Sequence, residues 1–135
     1  MVIDASAVLA IFFREPEARA MAEAIADAPV KRMSAAGWLE CAIRLDNAAE
    51  GASLDLEEFV RDAGIAVEAA TPEHARLARQ AHRRFGKGRH PARLNFGDCL
   101  AYALAAERGE ALLFKGDDFA LTDVTPALPD GGGDR

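Results

Sequence analysis

Short apolar runs alternating with longer stretches of helical periodicity constrain this chain more than any other feature. Val2 and Ile3, residues 30–33, residues 65–67 and the run "ALLF" at 111–114 are strand candidates, with a weaker fifth around Val124. Between them the apolar positions recur at helical spacing. Strands that are apolar throughout, rather than alternately apolar and polar, belong in a mostly parallel sheet covered by helices on both faces. The expected fold class is therefore α/β. At 135 residues the chain suits one core, placed over residues 1–128, and the ending "PDGGGDR" at 129–135 is too rich in glycine and polar residues to pack, so it is expected to be disordered.

Start and stop signals punctuate the helical stretches. Ser34 is positioned to cap "AAGWLECAIRLDNAAE", which Gly51 closes, and Pro16 stands near the first turn of "REPEARAMAEAIADA". "LDLEEFVRDAG" reads as a short helix. Thr71 and Pro72 open "TPEHARLARQAHRRFG", "GKGRHPAR" is a loop, and Gly109 ends "LNFGDCLAYALAAERG". No apolar run approaches the roughly 20 residues of a membrane helix, and no basic segment precedes the first apolar stretch, so a soluble, cytoplasmic protein without membrane contact is expected. Cys41 and Cys99 lie inside apolar helical patterns and read as reduced core residues.

A net charge of −6 argues against nucleic acid until its distribution is considered. Between His74 and Gly97 there is no acidic residue, while Arg76, Arg79, Arg83, Arg84, Lys87, Arg89 and Arg93 all fall there. The segment is either a solvated helix face and loop or a phosphate-binding strip.

Several acids stand where acids are costly. Asp4 is the sole charge in the first thirteen residues and ends the first strand, at the edge where open α/β sheets bind ligands. Helix capping is the competing explanation, with Ser6 a rival for that role. Asp98 is the only charge between Phe96 and Ala106, on a helix apolar nearly all round. Such a carboxylate needs a cation, a proton, or a bond to Asn95 or a backbone group. Glu40 pairs with Arg44 by helical spacing, or points toward the edge that holds Asp4. Asp117 and Asp118, in "KGDDF", emerge at that edge after the fourth strand. A set of carboxylates without a Cys/His cluster suits a hard cation, Mg²⁺ with Mn²⁺ as a substitute, rather than zinc. Such ions orient water and stabilise charge on a phosphodiester, and an acidic metal site beside a basic strip is what a nuclease requires.

The segments "VIDASAVLAIFF", "SAAGWLECAI", "HPARLNFGDCLAYALA" and "LLFKGDDFALTDV", in this order and reaching to Leu128, resemble the PIN-domain ribonucleases, specifically the VapC-type toxins of type II toxin–antitoxin modules. The resemblance implies a PIN-like three-layer α/β/α sandwich with about five strands, a homodimer, and a cognate antitoxin that blocks the site. It implies that Asp4, Glu40, Asp98 and Asp118 bind metal, with Ser6 close to the metal and Asp117 behind the ligands, orienting the turn. The implied activity is a Mg²⁺-dependent endoribonuclease using metal-activated water, with Arg83, Arg84, Lys87, Arg89 and Arg93 holding RNA, a tRNA or rRNA loop among the plausible targets.

Other readings fit less well. A receiver-like module wants two adjacent acids after the first strand, where this chain has "DAS", and a phosphatase wants a second acid where Ser6 stands. A PIN-like protein- or RNA-binding module without activity remains the principal alternative.

Overall fold

In the computed structural model, which describes residues 1–129, the apolar runs become four short strands: β1 (Val2–Ile3), β2 (Arg32–Ser34), β3 (Ala66–Glu68) and β4 (Leu112–Leu113). All pair in parallel, in the spatial order β3-β2-β1-β4. The weak fifth strand amounts to one parallel bridge, Leu112 with Pro126. Thr125 O and Ala127 N–H make that bridge to Leu112, at 2.9 Å each. Residues 130–135, most of the tail expected to be disordered, lie outside the described residues.

Six helices follow the punctuation of the sequence: α1 (Ala5–Phe12), α2 (Ala18–Asp27), α3 (Ala35–Ala48), α4 (Ala52–Ala63), α5 (Pro72–Phe85) and α6 (Phe96–Arg108). Ser34 Oγ accepts the Gly37 N–H at 3.0 Å, and Thr71 and His74 form a reciprocal cap on α5. Gly51 does not close α3; that helix ends at Ala48, and Gly51, at φ 82°, leads into α4 instead.

Side-chain alternation sorts the sheet into two cores. Ile3, Met33 and Leu113 pack against α1 to α4, whereas Val2, Leu112 and Phe114 pack against α5 and α6. This is the three-layer sandwich that the resemblance implied. Burial on both faces holds for β1 and β4, whose residues are at most 1% exposed, but not for β3, where Val67 is 44% exposed. β3 and β4 are both edge strands, but the β4 edge is covered by the segment that bridges Leu112 to Pro126.

Two features of this topology place the site. The strand order turns back between β1 and β4, which opens a crevice at their carboxyl ends. The loop joining α5 to α6 folds back on itself through a bridge between Gly86 and Leu94, so the last turn of α5 stands beside the first turn of α6.

Candidate active site

Asp4 leaves β1 with its N–H bonded to Leu113 O at 2.9 Å, which holds it against the end of β4. Its Oδ2 accepts from Ser6 N–H at 3.0 Å and Ser6 Oγ–H at 2.6 Å, so the capping role is real. Ser6 Oγ in turn accepts the Lys115 N–H at 3.0 Å, and one hydroxyl thereby links Asp4 to both strand ends. Asp4 is only 6% exposed. Burial pushes its carboxyl up to about 6, against the pull of the Ser6 bonds and with a further push from Glu40.

Asp98 sits in the first turn of α6 and is reciprocally capped: its Oδ2 accepts Asn95 N–H at 3.0 Å, and Asn95 Oδ1 accepts Asp98 N–H at 2.9 Å. That capping bond does not compensate its charge. Burial, with the nearby Asp4 and Asp118, raises its carboxyl to about 6 against the pull of the Asn95 bond.

Glu40 resolves against the ion pair that its spacing favoured. No salt bridge joins it to Arg44, whose guanidinium lies 5.8 Å from the Phe13 ring centroid. Burial and then Asp98 raise the Glu40 carboxyl, with Arg44 a weaker opposing influence. Sequence reasoning missed Gly97. A Cβ there would stand 2.7 Å from Glu40 Oε1, so its bare backbone lets α3 and α6 bring Glu40 and Asp98 together. The available signal was a glycine, a poor helix former, in the first turn beside the anomalous aspartate.

Asp117 and Asp118 are both exposed, after a turn made by Gly116 at φ 98°. Of the two, Asp118 is the one whose charge acts on Asp98. Lys115, the cation at this edge, directs its Nζ to Glu15 and, at 3.8 Å, to Glu17 rather than to Asp4.

Four acids from four parts of the chain thus converge on one crevice, and among the described residues none of them has a salt-bridge partner. Their donor set is all oxygen, and Asp4, Glu40 and Asp98 stay raised despite Arg44 and the Ser6 and Asn95 bonds, which fits a hard divalent cation. As they stand, no three of the His, Cys, Asp or Glu side chains among the described residues are close enough to enclose one ion. Binding would have to draw the carboxylates inward. Neither cysteine competes as a nucleophile: both are buried, which raises the Cys41 thiol to about 12 and the Cys99 thiol to about 11.

The basic segment ends at the same edge. Arg79, His82, Arg83 and Arg89 line a hollow of about 580 Å³. Lys87 and Arg93 are exposed in the adjoining loop. Arg84, beside Arg83 and Gln80 at a further hollow, has a second contact of its own. Its guanidinium reaches Asp123 at 3.3 Å, where Tyr102 also donates at 2.6 Å, and it lies 4.6 Å from the Phe85 ring centroid.

With this geometry established, comparison with known proteins is direct. Residues 1–124 match the PIN domain family. Ribonuclease VapC28 of Mycobacterium tuberculosis is 51% identical over 95% of this chain and 98% of its own, and Ribonuclease VapC of Mycolicibacterium smegmatis is 48% identical over 92% and 97%. Among solved structures, the M. tuberculosis toxin VapC20, which cleaves the sarcin-ricin loop, superposes with a TM-score of 0.71 at 20% identity, covering 93% of this chain and 98% of that one. A toxin–antitoxin complex from Klebsiella pneumoniae gives 0.70 at 16% identity, covering 94% and 97%. At those identities the two structures speak for the fold alone. The sequence matches go further, and the chain belongs to the PIN-domain family and, within it, to the VapC ribonucleases.

Proposed function

We propose that this protein is the toxin of a type II toxin–antitoxin module and acts as a Mg²⁺-dependent endoribonuclease. The observation that carries the reading is the mutual approach of Asp4, Glu40, Asp98 and Asp118, none of them in a salt bridge among the described residues, beside an arginine-lined hollow. These four acids would hold the ion. When bound, it supplies Lewis-acid stabilisation of the charge that develops on a phosphodiester and makes water a better nucleophile at neutral pH.

The chain's own residues supply the rest. Ser6 fixes the Asp4 carboxylate through two hydrogen bonds and ties it to β4, so the acid keeps its orientation as charge builds beside it. Asn95 does the same for Asp98. Gly97 leaves room for Glu40, and Asp117 belongs to the turn that presents Asp118. Arg83, Arg84, Lys87, Arg89 and Arg93 hold the RNA backbone, Arg84 also reaching Asp123 through an exposed ion pair.

The same reading places the protein in the cytoplasm, as a homodimer with a cognate antitoxin. No helix among the described residues is long and apolar enough to cross a membrane. The early helices, considered as an antitoxin surface, spend much of their apolar area on the core, since Leu9, Met21 and Ile25 are buried, and Phe13 at 38% exposure is what they leave available. An arginine from the antitoxin would satisfy the acid cluster by bidentate pairing.

The test is cleavage of tRNA and rRNA by purified protein, freed of any partner, with Mg²⁺ or Mn²⁺. Discrete cuts that vanish with EDTA and with Asp98→Asn, and that leave a 5′-phosphate on the downstream fragment, are expected. A cyclic phosphate upstream would instead assign the attack to the 2′-hydroxyl. A folded, ion-binding protein that cuts neither RNA would favour the binding module without activity.

A further inference from the structure

Phe96 is 82% exposed, more than any other large apolar side chain among the described residues, although it opens the helix that carries Asp98. A phenyl ring left in water forgoes the burial that normally keeps aromatic residues inside, so its placement calls for a ligand. The ring is the shared wall of two hollows. One, of about 400 Å³, runs between α3 and α6 past Glu40, Leu39 and Ile43. The other, of about 660 Å³, runs between α5 and α6 past Ala75, Ala78 and Leu100. Arg79 and His82 belong to this second hollow and also to the basic one completed by Arg83 and Arg89. Glu40 with Arg44 beside it, the aromatic ring, and the guanidinium groups of Arg79, Arg83 and Arg89 therefore succeed one another along a continuous track.

We propose that Phe96 is a stacking platform for an unpaired nucleobase next to the scissile phosphate, with Arg79, Arg83 and Arg89 holding the backbone of the flanking nucleotides. The proposal rests on the ribonuclease reading above and narrows its substrate to RNA whose bases are free to stack. A nucleotide offers a π-face to Phe96 and a phosphate to the guanidinium groups in one molecule. An apolar protein surface covering the same track would bury the charges of Arg79, Arg83 and Arg89, whose hollow holds no acid, without partners. Bases in a duplex are already stacked on their neighbours and cannot be presented to the ring, so loops and single strands are selected.

The experiment uses full-length protein in the Asp98→Asn background without added metal, so that binding is read without cleavage. A short single-stranded RNA carrying 2-aminopurine is titrated and its fluorescence followed, with the matching duplex as control and sedimentation at the same protein concentration. Quenching and preference for the single strand are expected. Phe96→Leu loses the quenching and weakens binding about 5- to 150-fold, and Phe96→Trp retains both. Arg79→Ala weakens binding but still quenches at saturation. Equal affinity in Phe96→Leu and its parent overturns the platform and leaves the ribonuclease reading intact if the unmutated chain still cuts RNA with Mg²⁺. Quenching that depends on Phe96, in a chain that never cuts, upholds the platform and defeats the catalytic reading. If Phe96→Leu dissociates a dimer while affinity per chain is unchanged, the ring serves a second copy and the proposal fails. Absence of any RNA binding overturns both.

Discussion

At the amino ends of β1, β2 and β4, Arg32 donates to Glu68 at 3.0 Å and to Glu110 at 2.9 Å, Arg108 reaches Glu68 at 3.4 Å, and the Met1 ammonium reaches Glu110 at 2.9 Å. Each of those charges faces an opposite one. Burial works to raise the Glu110 carboxyl, yet the bonds from the ammonium and from Arg32 outweigh it and hold the group below its ordinary value. At the carboxyl ends of β1 and β4 the arrangement is reversed: burial raises Asp4, Glu40 and Asp98, and each is raised further by another acid of the cluster. The same small sheet thus carries one charged cluster that stabilises the fold and one that opposes it. A fold keeps an opposing cluster where it binds something the free chain lacks.

The sharpest way to break this comparison is to remove one charge from each cluster. Asp98→Asn is expected to cost at least about 100-fold in RNA cleavage, while its midpoint of thermal unfolding in metal-free buffer stays the same or rises, because the amide keeps an acceptor for Asn95 N–H and relieves repulsion. A destabilised Asp98→Asn would show that the acid is structural. Gly97→Ala sharpens the point without touching a charge. The added methyl displaces Glu40 Oε1, the end of a flexible side chain, so cleavage should fall about tenfold with little change in stability. Equal losses of both would mean that α3 and α6 themselves had moved apart.

Acidity separates the clusters next. Asp4 titrates at about 6 in the folded chain against 3.8 ordinarily, so between those values the native state holds more protons than the unfolded state. Stability of the metal-free protein therefore falls as pH rises through this window, on the order of 3 kcal/mol from Asp4 alone, and levels off above it. Glu110 has the opposite sign: its contribution is present above its unfolded value and is lost as pH falls through its lower folded value. Unfolding across pH 4 to 8 should show the decline in the parent and a shallower one in Asp4→Asn. Mg²⁺ or Mn²⁺ should raise the unfolding midpoint more at about pH 7.5 than at about pH 5, where protons compete for the same oxygens. An equal rise at both would place the ion elsewhere.

Smaller effects complete the contrast. Arg32→Met takes one of two cationic partners from each of Glu68 and Glu110 and should lower the unfolding midpoint by a few degrees with cleavage intact at a permissive temperature, the reverse of Asp98→Asn. Ser6→Ala removes the bond that helps hold the Asp4 carboxyl down and the link to Lys115. It should cost about 1 kcal/mol and move the acid limb of the pH–rate profile upward. An unmoved limb would assign that limb to a group other than Asp4.

Much of this was legible in the chain because it is local. Unbroken apolar runs and helix caps require only neighbours, and they specified a parallel sheet between helices, the N-caps at Ser34 and Thr71, and the end of α6 at Gly109. Asp98 stood out because an apolar helix makes one carboxylate conspicuous. The expected fifth strand was less secure, since a few apolar residues before a proline cannot show whether a ladder will continue. Glu40 was ambiguous for a related reason: residues four apart on a helix suggest an ion pair, and only packing reveals that Arg44 turns toward Phe13 while Glu40 meets Gly97. In the same way Arg83 and Arg84 are adjacent and chemically identical and share one hollow, yet only Arg83 also lines the hollow with Arg79 and Arg89, and Arg84 reaches Asp123, thirty-nine positions along the chain. The sequence alone determined which residues are costly to bury and where helices begin and end, because propensity and hydrophobic period act over a few residues. The tertiary structure alone decided which charges are paid for, because a Coulomb partner or its absence depends on distance in space and not on position along the chain.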